Sequence, residues 1–266
     1  MSSFPQNTTD PTNDLTVGIV GGMGPQATVS FLQLIISLTH ELTSARTDQD
    51  HVKYILVNDP TIPNRQEAIL SGDEGEIVKA GEHMERVCSR FLPSVDFVIC
   101  VCNTAHHFQS YMERGLSTSS IPFLSLVTLT SKRVLSLSTP SSKVAVLGAT
   151  GCMKSGLYQR EMERLGGRKP YVCGEREQKV CMDAIYHVKA GEIDEACEVF
   201  SPLLHFLVHT EGCDMVVLGC TEFPVIVEAL NGSVPDDLTF IDSTIVLAEV
   251  TVKLCKGLVT LKQVME

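Results

Sequence analysis

The stretch Phe97–His106, FVICVCNTAH, decides the fold because a short apolar run ends there in a group of polar residues. Residues 97–101 are rich in β-branched side chains and predict a buried strand. A thiol, an amide and a hydroxyl follow at once, in Cys102, Asn103 and Thr104. Residues just past the carboxyl end of a strand in a parallel sheet line the ligand crevice. We therefore expect Cys102 to face a functional site.

The same arrangement occurs a second time near the end of the chain. Residues 215–218 form another apolar run, and Gly219, Cys220, Thr221 and Glu222 follow it. A thiol beside the start of a helix has a lowered pKa, which an acid/base group near neutral pH requires. Two cysteines at strand ends, each followed within two positions by threonine, predict a site built from two thiols.

Strands and helices alternate along the chain, which predicts an α/β fold with parallel sheets. Residues 144–151 resemble residues 17–24, since both join an apolar strand to a turn of small residues. This internal repeat indicates two similar lobes with the site in the crevice between them. The patterns predict strands at 15–20, 54–57, 97–101, 144–147, 215–218 and 240–242, and an apolar stretch at 121–127. They predict helices at 27–42, 77–92, 131–137, 158–165, 180–188, 193–209, 225–230 and 243–258. Ser243 is predicted to cap the last helix.

The lobes are predicted as residues 15–125 plus 240–266 for the first, with Cys102, and residues 126–239 for the second, with Cys220. Residues 1–14 are polar, lack a basic start and an apolar core, and predict a disordered tail, not a secretory signal.

Composition narrows the class of protein. Of the 266 residues, 44% are apolar and 20% charged, which is typical of a soluble globular protein. No apolar run approaches the roughly 20 residues that span a bilayer. The formal charge of -11 argues against nucleic acid or an anionic membrane as partner. The ten cysteines are scattered, and most lie in apolar patterns, so we expect reduced thiols and a cytoplasmic location.

Two further segments resemble parts of a binding site. The turn Gly21–Pro25 separates a strand from a helix, but its glycine spacing does not match the dinucleotide pattern G-x-G-x-x-G. Arg65 follows a strand on a loop stiffened by two prolines, where a binding residue is expected. A solvent-exposed arginine without a binding role fits this sequence equally well.

Three other uses of the thiols compete with acid/base catalysis. Cys100, Cys102 and the histidines at 106 and 107 match no common zinc spacing, so no metal is expected. His106 could pair with Cys102 in a Cys–His hydrolase, but that scheme leaves Cys220 without a role. A disulfide between Cys102 and Cys220 is disfavoured in a reducing compartment.

Four motifs resemble the aspartate racemase branch of the aspartate/glutamate racemase superfamily, and they occur in the right order over nearly the whole chain beyond the tail. They are GIVGGMGP (18–25), NDPTIPNR (58–65), CNTAH (102–106) and LGCTE (218–222). The resemblance implies two Rossmann-like lobes related by a pseudo-two-fold axis, no cofactor, and a homodimer. It also implies that Cys102 and Cys220 are the acid/base pair, and that the substrate is bound by Met23, Arg65, Gln66, Asn103, Thr104, Lys189, Thr221 and Glu222.

Two positions depart from the family pattern. Val101 stands where proline often precedes the first cysteine, and Cys152 stands where threonine is usual after the glycine turn of the second lobe. Neither departure removes a catalytic group, though Cys152 is expected to alter contacts near the crevice.

The expected activity is racemisation of an acidic amino acid, with aspartate as the expected substrate. Inversion at Cα needs one group to remove the proton and another to deliver a proton to the opposite face. Two opposed thiols can do this if one is a thiolate. The alternatives are a glutamate or broad-specificity racemase, a maleate isomerase, a decarboxylase, and a non-catalytic protein that binds an acidic amino acid.

Overall fold

Two parallel sheets form the frame of the structure, a computed structural model that describes residues 15–266. The first sheet has the order β2-β1-β3-β4 and the second the order β6-β5-β7-β8, and every pair of neighbouring strands is parallel. The strands are β1 (Thr16–Gly21), β2 (Lys53–Asn58), β3 (Phe97–Cys100), β4 (Phe123–Leu124), β5 (Val144–Gly148), β6 (Tyr171–Val172), β7 (Met215–Gly219) and β8 (Thr239–Asp242). The predicted α/β fold with two parallel sheets is confirmed. The tail predicted for residues 1–14 lies outside the described residues.

Helices connect the strands, as parallel pairing requires. They are α1 (Pro25–Leu42), α2 (Arg65–Ser71), α3 (Glu74–Phe91), α4 (Gln109–Leu116), α5 (Leu126–Leu137), α6 (Thr150–Lys154), α7 (Leu157–Arg164), α8 (Glu175–Ala190), α9 (Ile193–His209), α10 (Phe223–Ala229), α11 (Ser243–Cys255) and α12 (Leu261–Met265).

The two sheets repeat one topology. The strands that open each half, β1 and β5, hold the second position in their sheets, and β3 and β7 hold the third. Cys102 follows β3, and Cys220 follows β7. The two thiols therefore lie at equivalent places in the repeat, at the carboxyl ends of central strands.

Successive side chains along each strand point to opposite faces of the sheet, so the buried residues form three cores. One inner core contains residues of both sheets, and each sheet has an outer core of its own. In β3, Phe97 and Ile99 belong to an inner core that both sheets share, whereas Val98 and Cys100 belong to the outer core of the first sheet. This is the period of two expected of a strand with both faces covered. The shared core includes Val17 and Ile19 of β1, Val146 of β5, Val217 of β7, Phe31 of α1 and Leu247 of α11.

The prediction that the last strand belongs to the first lobe is wrong. Residues 240–242 were assigned to it, but β8 pairs with β7, with Ile241 opposite Val217 in the second sheet. Pairing there places Ile241 in the shared core. The chain then returns, because α11 packs against α1 as well as α5. The remaining lobe boundaries stay a prediction.

Two local predictions are also corrected. Asp242, not Ser243, caps α11, because its Oδ1 accepts hydrogen bonds from the backbone N–H groups of Thr244 (2.7 Å) and Ile245 (3.3 Å). Arg65 is not a loop residue but the first residue of α2, since the side chain of Asn64 caps that helix.

Candidate active site

One cavity of about 230 Å³ lies where β3 and β7 end, and it is lined by residues from both halves of the repeat. Each site residue predicted from the sequence lines it. They are Met23, Arg65, Gln66, Cys102, Asn103, Thr104, Lys189, Cys220, Thr221 and Glu222. The structure thus brings together residues that lie as much as 199 positions apart in the chain, from Met23 to Glu222.

One wall of this cavity, which α8 supplies, contains residues that were not predicted from the sequence. Met182, Ile185 and Tyr186 line the cavity together with Lys189. Their spacing of three and four residues places them on one face of the helix. In the sequence, the spacing of these residues from Lys189 is the pattern that could have identified them. The other lining residues not predicted are Gly24, Asn64, Val101, Ala149 and Gly219.

Close backbone packing fixes the two turns that bear the site. A Cβ on Gly219 would lie 2.7 Å from the carbonyl oxygen of Leu147, so the strand end before Cys220 accepts only glycine without a shift of β5. Gly22 has φ +90°, and a Cβ there would lie 2.5 Å from the backbone of Asp59. The turn that carries Met23 is thereby held against the loop that leads to Arg65.

Cys220 is hydrogen-bonded to a carboxylate in its own turn. Its Sγ–H donates to Oε2 of Glu222 at 2.9 Å, and Oγ1 of Thr221 donates to the same oxygen at 3.1 Å. Nζ of Lys189 lies 3.7 Å from the other carboxylate oxygen. Burial first, and then the charge of Glu222, raise the pKa of Cys220 well above its ordinary value. Cys220 is therefore a protonated thiol at neutral pH.

His106 cannot act as the base for Cys102, because both of its ring nitrogens are occupied. Nδ1 donates to the carbonyl oxygen of Cys102 at 2.9 Å, and Nε2 accepts the backbone N–H of Leu126 at 3.0 Å. Burial lowers the pKa of His106 to about 4, so the ring is neutral. These bonds hold the turn after β3 in place and leave the Cys–His hydrolase without its base.

The residues considered for a metal also point to different places. Cys100 is buried in the outer core, whereas Cys102 lines the cavity. Within residues 15–266, no group of three or more His, Cys, Asp or Glu side chains is arranged to hold a metal ion. No helix in this part of the chain is long and apolar enough to cross a membrane.

Arg65 is held rigidly and offers an unused donor. Its Nη1 donates to the carbonyl oxygens of Ile62 and Pro63, both at 3.2 Å. Its Nε is buried and has no hydrogen-bond partner among the described residues. A buried donor without a partner is costly, and an anionic ligand would satisfy it. Lys189, the second cation, is more exposed, with 59% of its side chain accessible.

The other predicted residues differ in what they offer a ligand. Met23 is buried, and Thr104 begins a short 3₁₀ helix. Gln66 lies in the first turn of α2, where α6 approaches closely: a Cβ on Gly151 would lie 3.0 Å from the Cα of Gln66. The carboxamide of Asn103 is engaged at both ends, since Oδ1 accepts from the hydroxyl of Tyr158 and Nδ2 donates to Ser243.

The two positions that depart from the family pattern, Val101 and Cys152, are both buried. The N–H of Val101 donates to the carbonyl oxygen of Val20 at 3.0 Å, a bond that proline would lose. Cys152 lies in the shared core and does not line the cavity. Burial raises the pKa of its thiol to about 12.

A larger groove of about 720 Å³ lies between α1, α10 and α11, but its lining has no thiol. Two of its charged groups already have partners, since Arg133 pairs with Glu249 and Asp242 caps α11. Thr221 is the residue that lines both the groove and the cavity. The cavity with the two cysteines is therefore the candidate active site.

Comparison with known proteins gives the family of the chain. The Asp/Glu/Hydantoin racemase family matches residues 20–251. Among solved structures, the chain resembles the aspartate racemase of Picrophilus torridus (TM-score 0.71, 29% identity, 91% of this chain and 94% of that one). It shares its fold with an aspartate racemase homologue from Pyrococcus horikoshii (TM-score 0.71, 18% identity, 90% of this chain and 98% of that one).

Among curated proteins, the chain is 25% identical to the broad specificity amino-acid racemase of Bacillus subtilis over 238 residues, which cover 89% of this chain and 96% of that protein. It is 28% identical to the glutamate racemase of Persephonella marina over 162 residues, which cover 59% of this chain and 58% of that protein. Since the family match extends from β1 to α11, the chain belongs to the Asp/Glu/Hydantoin racemase family.

Proposed function

We propose that the protein is a cofactor-independent amino-acid racemase that interconverts L- and D-aspartate by two-base proton transfer at Cα. One observation carries this proposal: two cysteines at equivalent strand ends of a repeated fold line a single small cavity. A cavity of about 230 Å³ has room for a small amino acid. A second thiol in the same cavity has no role in a one-base reaction such as decarboxylation.

The proposed mechanism uses one thiolate and one thiol. Cys102 acts as the thiolate, forms an S–H bond with the α-proton, and leaves the electron pair of the broken C–H bond on Cα. Cys220, whose pKa is raised by burial and by Glu222, holds the proton that is delivered to the other face. The new C–H bond takes the electron pair from Cα, and the S–H pair of Cys220 remains on its sulfur. The reverse reaction exchanges the two roles.

The carbanion needs stabilisation while the proton is absent. Its charge spreads into the substrate α-carboxylate, so hydrogen-bond donors near that carboxylate lower the barrier. Thr104 and Thr221 line the cavity, one beside each cysteine turn. We assign this role to the hydroxyl of Thr104 and to the backbone N–H groups of both threonines, because the hydroxyl of Thr221 already donates to Glu222.

Preference for a dicarboxylate is supported by the cations that line the cavity. Arg65 has a buried donor without a partner, and Lys189 stands near Glu222. A protein with a formal charge of -11 needs local cations to bind a doubly anionic substrate. The likeness to an aspartate racemase at 29% identity over nine-tenths of the chain supports aspartate.

Broad specificity is the second candidate, and one part of the cavity favours it. Met182 and Ile185 give the α8 wall an apolar surface beside Lys189. Such a wall can accept an apolar side chain in place of a carboxylate. The curated relative with the widest coverage given above is a broad specificity racemase.

The decisive experiment measures deuterium at Cα. The protein is incubated in D₂O with each enantiomer of aspartate, glutamate and alanine, and kcat/KM is determined for each. We expect inversion with α-deuteration, and the highest kcat/KM for aspartate. Equal or better glutamate turnover would overturn the aspartate assignment and leave the two-thiol mechanism intact. If none of the six compounds gained deuterium, the racemase proposal would fail and a binding protein would take its place.

The proposal includes a homodimer in the cytoplasm. The ten cysteines are free thiols, which fits a reducing compartment. The edge strand β2 exposes Tyr54 and Ile55, and an exposed apolar edge strand favours pairing with another chain. Light scattering after size exclusion should give twice the mass of one chain, and a monomer at micromolar concentration would contradict the homodimer.

A further inference from the structure

Asn103 connects the two turns that bear the cysteines through a buried chain of hydrogen bonds. Its Nδ2 donates to Oγ of Ser243 at 3.1 Å, and that hydroxyl donates to the carbonyl oxygen of Leu218 at 2.9 Å. Asn103 directly follows Cys102, and Leu218 precedes Cys220 by two residues. The connection thus runs from one thiol turn to the other through a single side chain of α11.

Tyr158 makes a second connection between the same turns. Its hydroxyl donates to Oδ1 of Asn103 at 2.6 Å. Its ring passes beside the other turn, since Cε2 lies 3.4 Å from the place that a Cβ on Gly219 would take. Tyr158 belongs to α7, in the half of the chain that carries the second sheet.

The donors and acceptors in this hydrogen-bond network can be assigned in one way. Ser243 uses its proton on Leu218, so its oxygen must accept from the amide nitrogen of Asn103. The amide oxygen is then left facing the hydroxyl of Tyr158. Asn103 is 4% exposed, Tyr158 1% and Ser243 0%. Water therefore cannot replace a lost partner, and removing one partner leaves the others unsatisfied.

We propose that Asn103, Tyr158, Ser243 and the carbonyl of Leu218 form an inter-lobe clasp that sets the position of Cys102 relative to Cys220. Tyr158 and Ser243 are positioning residues, because neither lines the cavity and both act through Asn103. The proposal rests on the proposed racemase function for its kinetic test. It also gives Asn103 a role beyond substrate binding, since its carboxamide oxygen is already occupied and one Nδ2–H remains.

A two-base reaction is sensitive to this distance for a geometric reason. Both sulfurs must reach one Cα from opposite faces, so a displaced turn impairs proton transfer even when the substrate still binds. Misplacement by about 1 Å can cost on the order of 100-fold in rate. We therefore expect loss of the clasp to lower kcat and to leave KM nearly unchanged.

The test uses Tyr158→Phe and Ser243→Ala, with Thr251→Val as the matched control. Thr251 is also buried on α11 and donates one hydrogen bond to a carbonyl oxygen, that of Leu247 at 2.7 Å, but it does not belong to the clasp. Each variant is assayed in both directions with aspartate, and its melting temperature is measured. We expect kcat to fall about 10- to 100-fold in both clasp variants, KM to stay within about threefold, and Thr251→Val to keep wild-type kcat.

A second readout separates the clasp from the racemase function. Backbone amide exchange is followed by mass spectrometry in residues 101–104 and 218–221. The clasp predicts faster exchange in both segments in either variant, and no change there in Thr251→Val. Folded clasp variants with wild-type kcat, or with only a raised KM, would overturn the clasp in an active enzyme. If the wild type racemises nothing, the proposed function fails by itself, and unchanged amide exchange then overturns the clasp.

Discussion

The Sγ of Cys220 lies 2.9 Å from Oε2 of Glu222, and this contact makes the two cavity thiols unequal. Burial and the carboxylate together raise the pKa of Cys220 well above its ordinary value. Glu222→Gln removes the charge, so the pKa of Cys220 should fall. In the reaction direction in which Cys220 donates the proton, the decrease of kcat/KM at high pH should then occur at a lower pH.

The matched control for that variant is Glu228→Gln, which changes an exposed carboxylate on α10. Its profile should overlay that of the wild type. An alkaline limb unchanged in Glu222→Gln would show that Glu222 does not influence the proton of Cys220.

Each cavity thiol is predicted to be essential for inversion. Cys102→Ser and Cys220→Ser should lower racemisation by at least about 100-fold, because a serine hydroxyl is a poor acid/base near neutral pH. Each variant can still exchange the α-proton of one enantiomer with D₂O through the remaining thiol. Cys197→Ser, which changes a half-buried thiol on α9, should retain full activity. Near-normal racemisation by either cavity variant is the result that the two-base mechanism does not survive.

Arg65 and Lys189 should contribute to binding of the substrate carboxylates. Charge-assisted hydrogen bonds contribute roughly 1.5–3 kcal/mol, or about 10- to 100-fold in kcat/KM. Arg65→Ala should have the larger effect because its guanidinium is held by two carbonyl oxygens, whereas the side chain of Lys189 is 59% exposed. Arg65→Lys keeps the charge and should give an intermediate loss. Two folded alanine variants with wild-type kinetics on aspartate would exclude these side chains from carboxylate binding.

Acid should destabilise the fold through His106. Burial lowers its pKa to about 4, against about 6.5 in an unfolded chain. A group whose pKa is lower in the folded state contributes stability above its unfolded pKa, and that stability is lost as the pH falls. In wild type, the free energy of unfolding should fall between about pH 6.5 and pH 4, by up to about 1.4 kcal/mol per pH unit from this residue. Urea denaturation of His106→Asn should show a shallower dependence, and equal slopes would contradict this origin.

Alkali should destabilise the fold for the opposite reason. Burial raises the pKa of Cys88 and of Cys152 to about 12, against about 8.5 in an unfolded chain. The unfolded chain then releases its protons first, so the stability is full below the unfolded pKa and is lost as the pH rises. Urea denaturation at pH 7, 9 and 10.5 should show this decrease. Cys88→Ala should reduce its slope by up to about 1.4 kcal/mol per pH unit, and an unchanged slope would assign the effect to other groups.

The sequence predicted those parts of the fold and site that are encoded locally. The apolar runs before Cys102 and Cys220 are long enough to show a strand, and the residues after them do line the cavity. β6 has two residues, Tyr171 and Val172, which is too short to give any pattern. The placement of β8 depends on which sheet edge is free, and no local signal in residues 239–242 records that.

Contacts between distant residues were beyond a reading of the sequence. Tyr158 and Ser243 lie 55 and 140 positions from Asn103. In the sequence, Tyr158 fits a helical pattern and Ser243 fits an N-cap, so neither points to Asn103. Only the folded chain shows that both side chains meet the amide that follows Cys102.

The path of α11 has a consequence for dividing the molecule. This helix follows the last strand of the second sheet and packs on α1, which follows the first strand of the first. A fragment that ends before β5 would lack α11 and leave the side of α1 with Phe31 and Ile35 without its cover, although both are buried in the intact chain. The duplicated topology therefore does not make two separable halves, and a gene cut between α5 and β5 would need both products in one cell to give a folded protein.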